Sequence, residues 1–158
     1  MTLYSVLVAN EALPTIDCTG IIEITVRELK KLYPITEETP EQHWHSLHDD
    51  ARIIHAPDTS AFGRLNIFEW DNYLSDIQEF SEKPYVYGME GNWNSAFLND
   101  LLNYFRQSIK KEQGAELIRF WAGEYDQKLK TIHINVETLE LQHLESLSNE
   151  KYLRAIFK

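Results

Sequence analysis

The chain reads as an α+β fold, one globular domain over 1–158 in which an antiparallel or mixed sheet packs with one long helix and several short ones. Three observations predict it. Across 94–112 the residues Phe97, Leu98, Leu101, Leu102, Phe105 and Ile109 recur at helical spacing, while Asn99, Asn103, Arg106, Lys110 and Lys111 lie off that face. After Gly114, a helix stop, the apolar run 116–122 has the length of a strand. Across 130–136, Ile132, Ile134 and Val136 alternate with Thr131, His133 and Asn135, as in a strand with one wet face.

The remaining elements follow in order. Residues 3–9 are rich in Leu and Val and predict a first strand; 11–20, with Pro14 and Gly20, predict a loop. A short strand over 20–24 leads to Thr25 and Glu28, whose capping-box spacing starts a helix near Val26 that runs through Leu29, Leu32 and Tyr33 and stops before Pro34. Thr39, Pro40 and Gln42 repeat that start signal, so a second helix is expected over 40–48 with Trp44 and Leu47 buried. Residues 52–55 form a brief apolar run, a strand or a loop under the core, and 58–63 a polar turn.

Residues 64–70 predict a strand with Leu65 and Ile67 on one face and Phe68 and Trp70 on the other. Tyr73, Leu74, Ile77 and Phe80 then repeat at helical spacing behind Asp71, a possible cap, and Lys83-Pro84 ends that helix. A strand or aromatic loop over 85–89 leads to the long helix. Beyond the paired strands, 138–147 predict a short helix and 151–157 a closing strand.

Composition excludes several classes. The chain is 43% hydrophobic and 25% charged, far from the disordered regime, and a domain of 158 residues buries roughly 70% of its unfolded surface. Cys18 is the single cysteine, which rules out an internal disulfide and a cysteine-based zinc site. The N-terminal apolar run is short and lacks a preceding base, so it is expected to be a strand rather than a signal peptide, and a cytoplasmic location is the expectation. There is no Gly-rich phosphate loop and no Gly-x-Ser-x-Gly elbow, so no catalytic residue and no cofactor are assigned.

The net charge of −10 is localised. From Glu37 to Glu82 there are eleven acids against Arg52 and Arg64, a balance of −9, while the rest of the chain is nearly neutral. Such a field repels nucleic acid and anionic membrane and attracts basic proteins or cations. Asp49, Asp50, Asp71, Asp76, Glu79 and Glu82 are the candidate partner-binding acids, with Trp44 as an aromatic anchor. Trp70 and Trp121 fall inside apolar runs and are expected in the core; Trp44 and Trp93, beside helix starts, are expected to be partly exposed.

The histidines His43, His45, His48 and His55 raise a metal reading. On a helix, His45 and His48 share a face, and Asp49, four residues after His45, could join them as a third ligand; His43 points elsewhere. A small metal-dependent hydrolase using His45, His48 and Asp49 is therefore the alternative to a binding protein. Surface histidines on an acidic helix are the simpler account of the same residues.

The C-terminal third, with its helix over 96–111, the run Ala-Glu-Leu-Ile-Arg-Phe-Trp-Ala-Gly at 115–123, the strand Lys-Thr-Ile-His-Ile-Asn-Val at 130–136 and the helix at 139–147, resembles small bacterial immunity proteins. These act in contact-dependent growth inhibition and related polymorphic toxin systems. The resemblance implies a compact, cytoplasmic, often acidic protein without catalysis of its own. It would bind a cognate toxin domain, in many cases a basic nuclease, at or beside the toxin's active site. A non-catalytic adaptor with a different partner is the third reading.

Overall fold

The computed structural model describes residues 2–72, 75–124 and 128–158. The fold is α+β, as expected, and by its contacts the chain divides into two compact units: Met1–Cys18 with Gly63–Lys158, and Thr19–Phe62.

The larger unit is built on a seven-stranded mixed sheet. Its strands are β1 (Leu3–Ala9), β2 (Ile16–Asp17), β5 (Asn66–Glu69), β6 (Tyr85–Glu90), β7 (Glu116–Trp121), β8 (Lys130–Ile134) and β9 (Leu153–Phe157), in the order β2-β5-β6-β1-β7-β9-β8. Among the described residues, every pairing in it is antiparallel except β8 with β9. That exception has a simple cause: the chain crosses between these two strands through helix α4 (Leu141–Ser148), and such a crossover returns it in the same direction.

β1 lies in the middle of the sheet, and Val6 to Ala9 are fully buried because both faces are covered. Leu7 and Ala9 face the main core with Leu117, Tyr87 and Leu153, under α4 and helix α3 (Ser95–Ser108). Val6 and Val8 face a second cluster with Ile118, Phe120 and Ile77, the last on helix α2 (Ser75–Phe80). The period-two alternation of each strand thus serves two cores.

All six apolar positions read from 94–112 are buried, and Asn94 caps the helix by accepting from the Phe97 N–H at 3.1 Å. The helix is shorter than its periodicity suggests. Ile109 leaves helical geometry for an extended backbone (φ −97°, ψ 120°) and buries its side chain in the main core; a 3-10 turn, Lys111–Gln113, and a left-handed Gly114 follow. Tyr73 and Leu74, expected on the apolar face before Ile77, lie outside the described residues. Trp70 and Trp121, expected in the core, are half-buried: both stand at the ends of their strands, and Trp70 packs on Tyr4 at 5.3 Å between ring centres.

The smaller unit pairs β3 (Ile22–Thr25) with β4 (Arg52–His55) and packs them with α1 (Val26–Leu32). The expected capping box is present: the Thr25 hydroxyl accepts from the Glu28 N–H, and the Glu28 carboxylate accepts from the Thr25 N–H at 2.7 Å. The second expected helix, 40–48, does not form. The Thr39 hydroxyl that would cap it accepts instead from the Thr36 N–H at 2.8 Å, closing a turn backwards along the chain. Only a 3-10 turn, His43–Ser46, remains, and Leu47 is exposed rather than buried. Of the two alternatives for 52–55, the strand is the one that forms, as β4, and it does not lie under the core, since Ile54 is 72% exposed.

Candidate protein-binding site

The partner-binding residues read from the charge pattern divide between the units. Trp44, Asp49 and Asp50 belong to Thr19–Phe62, whereas Asp71, Asp76, Glu79 and Glu82 belong to the sheet unit.

In the smaller unit, Asp49 and Asp50 occupy the turn before β4 and are held by α1. Lys30 Nζ lies 2.6 Å from Asp49 and Arg27 Nη2 lies 2.9 Å from Asp50. The hydrogen bond from Lys30, reinforced by its charge, keeps the Asp49 carboxyl below its usual range. Both acids are therefore partly neutralised within their own unit. Glu37, Glu38 and Glu41 differ: each is exposed, and none makes an ion pair among the described residues. The unit as a whole carries eight acids against four bases.

In the sheet unit, Asp71 is exposed in the turn after β5, and Glu79 and Glu82 are exposed on and just after α2. Asp76 sits in the first turn of α2, half-buried, where its carboxylate accepts from the Gly123 N–H at 3.1 Å. It has a local structural role as well as a charge.

The metal reading loses its geometric basis. His45 and His48 were to share one helical face, but the 3-10 turn ends at Ser46 and His48 lies beyond it. His48 Nδ1 accepts from the Asp50 N–H at 3.2 Å, and Asp49 is taken by Lys30. Among the described residues, no three His, Cys, Asp or Glu side chains are grouped to hold a metal ion.

The sequence reading missed the apolar part of this surface. Among the described residues, eight large hydrophobic side chains are exposed, and seven of them, Ile22, Leu32, Tyr33, Ile35, Leu47, Ile54 and Phe62, belong to Thr19–Phe62. Isolated exposed apolar residues are ordinary; a concentration in one small unit is not. Beside them lies a depression of about 720 Å³, lined by Tyr33, Pro34, Trp44, His45, Ile54 and His55 among others. Trp44 is half-buried in its wall, edge-on to His45 with ring centres 4.2 Å apart, and Tyr33 meets His55 edge-on at 5.6 Å. The signal available was the Ile53-Ile54 pair: in a strand, neighbours point to opposite faces, so a two-stranded sheet packed on one side must expose one of them.

β3 and β4 pair only with each other among the described residues, so each also presents an unpaired edge of backbone donors and acceptors. Rigid half-buried aromatics, exposed aliphatics and unpaired acids are suited to holding another protein. No helix is long and apolar enough to cross a membrane among the described residues. The chain matches no family model, no curated protein and no solved structure.

Proposed function

We propose that this protein is a non-catalytic binding module, an immunity protein acting in the bacterial cytoplasm, which occludes a basic toxin domain. The observation that carries protein binding is the concentration of seven exposed large apolar side chains in Thr19–Phe62. Glu37, Glu38 and Glu41 supply charge complementary to a basic partner. The toxin as partner rests on the pattern of the C-terminal third and on the acidity of the chain.

The test is calorimetric binding to the protein encoded immediately upstream of this gene, at low and moderate salt, followed by growth rescue of cells expressing that protein. Tight binding that weakens with salt and protects growth supports the reading. In that complex, Leu32→Gln with Ile54→Thr weakens binding at least about tenfold, the scale of one interface anchor. Changing Glu37, Glu38 and Glu41 to Gln slows association chiefly at low salt. Binding without growth rescue points to the adaptor reading, and binding that survives the apolar substitutions removes Thr19–Phe62 as the interface.

A further inference from the structure

Arg119 lies near the end of β7 and is only 5% exposed. It stands opposite Ser5 of β1, itself 9% exposed, so two polar side chains share a face with the apolar core. Nη1 of Arg119 donates to the Leu147 and Ser148 carbonyls, both at 3.0 Å, at the C-terminal end of α4. The guanidinium carbon also lies 4.1 Å from the centre of the Trp93 ring. Those contacts account for one nitrogen and one face. Nε has no hydrogen-bond partner, and no carboxylate pairs with this buried cation among the described residues. Burial accordingly lowers the Arg119 pKa.

The same side chain lines a cavity of about 600 Å³ in the sheet unit, within the ordinary range of small-molecule sites. Tyr4, Phe68, Trp70, Met89 and Trp93 form much of its remaining wall, and Ser5 adds a hydroxyl. The tip of the Phe68 ring lies over Gly88, where a Cβ would come within 2.4 Å of it, so the glycine makes room for that side chain. A buried guanidinium lacking an anionic partner, across the strands from a serine and in a largely apolar cavity, suits an oxyanion on an apolar body.

We propose that this cavity binds a small organic monocarboxylate with an aromatic or apolar body. The carboxylate would take the guanidinium and the Ser5 hydroxyl, and the body would lie against Leu3, Met89 and Trp93, on the same face of the sheet. Glu90 also lines the cavity, and its negative charge opposes a dianion more strongly than a monoanion.

The test follows the Arg119 Nε–H resonance of the ¹⁵N-labelled native protein while benzoate, phenyl phosphate or benzyl alcohol is added in low-chloride buffer, with calorimetry in parallel. Benzoate moves that resonance saturably, with one site per chain. Phenyl phosphate binds more weakly, and benzyl alcohol leaves the resonance in place. Ser5→Ala weakens benzoate about tenfold, as expected for loss of one hydrogen bond to a charged group, without lowering the melting temperature comparably. Arg119→Lys keeps the charge but loses the fork, and it weakens benzoate further. An Nε–H signal unmoved by millimolar benzoate overturns the proposal, as does an equal response to benzyl alcohol or to chloride alone.

Discussion

Lys30 and Asp49 stand 2.6 Å apart across the smaller unit, tying α1 to the turn that leads into β4. An acid that looks free in the sequence is thus part of the scaffold, and the same holds for Asp50 with Arg27. Glu28, held below its usual range chiefly by the Thr25 N–H, adds a second carboxylate whose ionised form favours the start of α1.

A carboxyl whose folded pKa is depressed contributes stability that is present above its unfolded pKa and lost as pH falls through the folded value. For Glu28 and Asp49 the ordinary values are 4.5 and 3.8, so amide protection across Val26–Leu32 is expected to hold at neutral pH and to fall as acid passes below them. Hydrogen exchange at stepped pH measures this. Added salt weakens the Lys30–Asp49 contribution but leaves the Thr25–Glu28 hydrogen bonds largely intact.

Thr25→Ala removes the side-chain acceptor for the Glu28 N–H and is expected to cost about 1 kcal/mol, the usual loss for a helix cap. Thr39→Ala, at a position with the same sequence signal, disrupts only a turn with Thr36. Chemical unfolding of the two variants should separate them, with the larger loss at Thr25.

That contrast shows what was legible. Thr25–Glu28 and the 94–112 periodicity are local statements, and both survived: the first helix and the core face of the long one are where the residues place them. Thr39 carries an equally good local signal, but its hydroxyl had a competing acceptor role three residues back. The exposed apolar surface depends on which face of β3 and β4 is covered, and no local pattern states that. Arg119 is a charged residue inside the apolar run 116–122 that drew no reading of its own; its meaning comes from Leu147, Ser148 and Trp93, none of them near it in the chain.

Contacts between distant residues also hold the segment between β1 and β2. The buried Leu13 N–H donates to the Tyr87 hydroxyl at 2.8 Å, across 74 residues of chain. Tyr87→Phe leaves that donor without a partner and is expected to cost about 1–3 kcal/mol in urea unfolding. Tyr104→Phe removes a bond to the Pro14 carbonyl that is only partly buried, and a smaller loss is expected there.

Gly91 has φ +135°, and an added Cβ would lie 2.4 Å from the Phe97 ring and 2.7 Å from the Arg64 carbonyl oxygen. Gly91→Ala therefore combines backbone strain with a clash against backbone, and a loss above about 2 kcal/mol is expected. Gly123, with φ +81° and nothing within 4 Å of its Cβ position, isolates the strain alone. Thermal unfolding of Gly123→Ala should show about 1–2 kcal/mol, the cost of a left-handed residue by itself.

The exposed apolar side chains of Thr19–Phe62 can be separated from folding without any partner in hand. Ile54 is 72% exposed and Leu32 58%, so Ile54→Thr and Leu32→Gln remove apolar surface that the fold does not use. Threonine keeps the β-branch that suits β4, and glutamine suits the last turn of α1, so each variant should stay within about 0.5 kcal/mol of the parent. Leu29, 6% exposed on the same helix, is the contrasting position: Leu29→Ala should cost about 2–5 kcal/mol. A neutral solvatochromic dye such as Nile red should bind the folded parent and lose most of its signal in the Leu32→Gln, Ile54→Thr double variant at unchanged melting temperature. Retained dye binding would place the accessible apolar surface elsewhere, and a matching drop in melting temperature would show that these side chains hold the unit together instead of facing a partner.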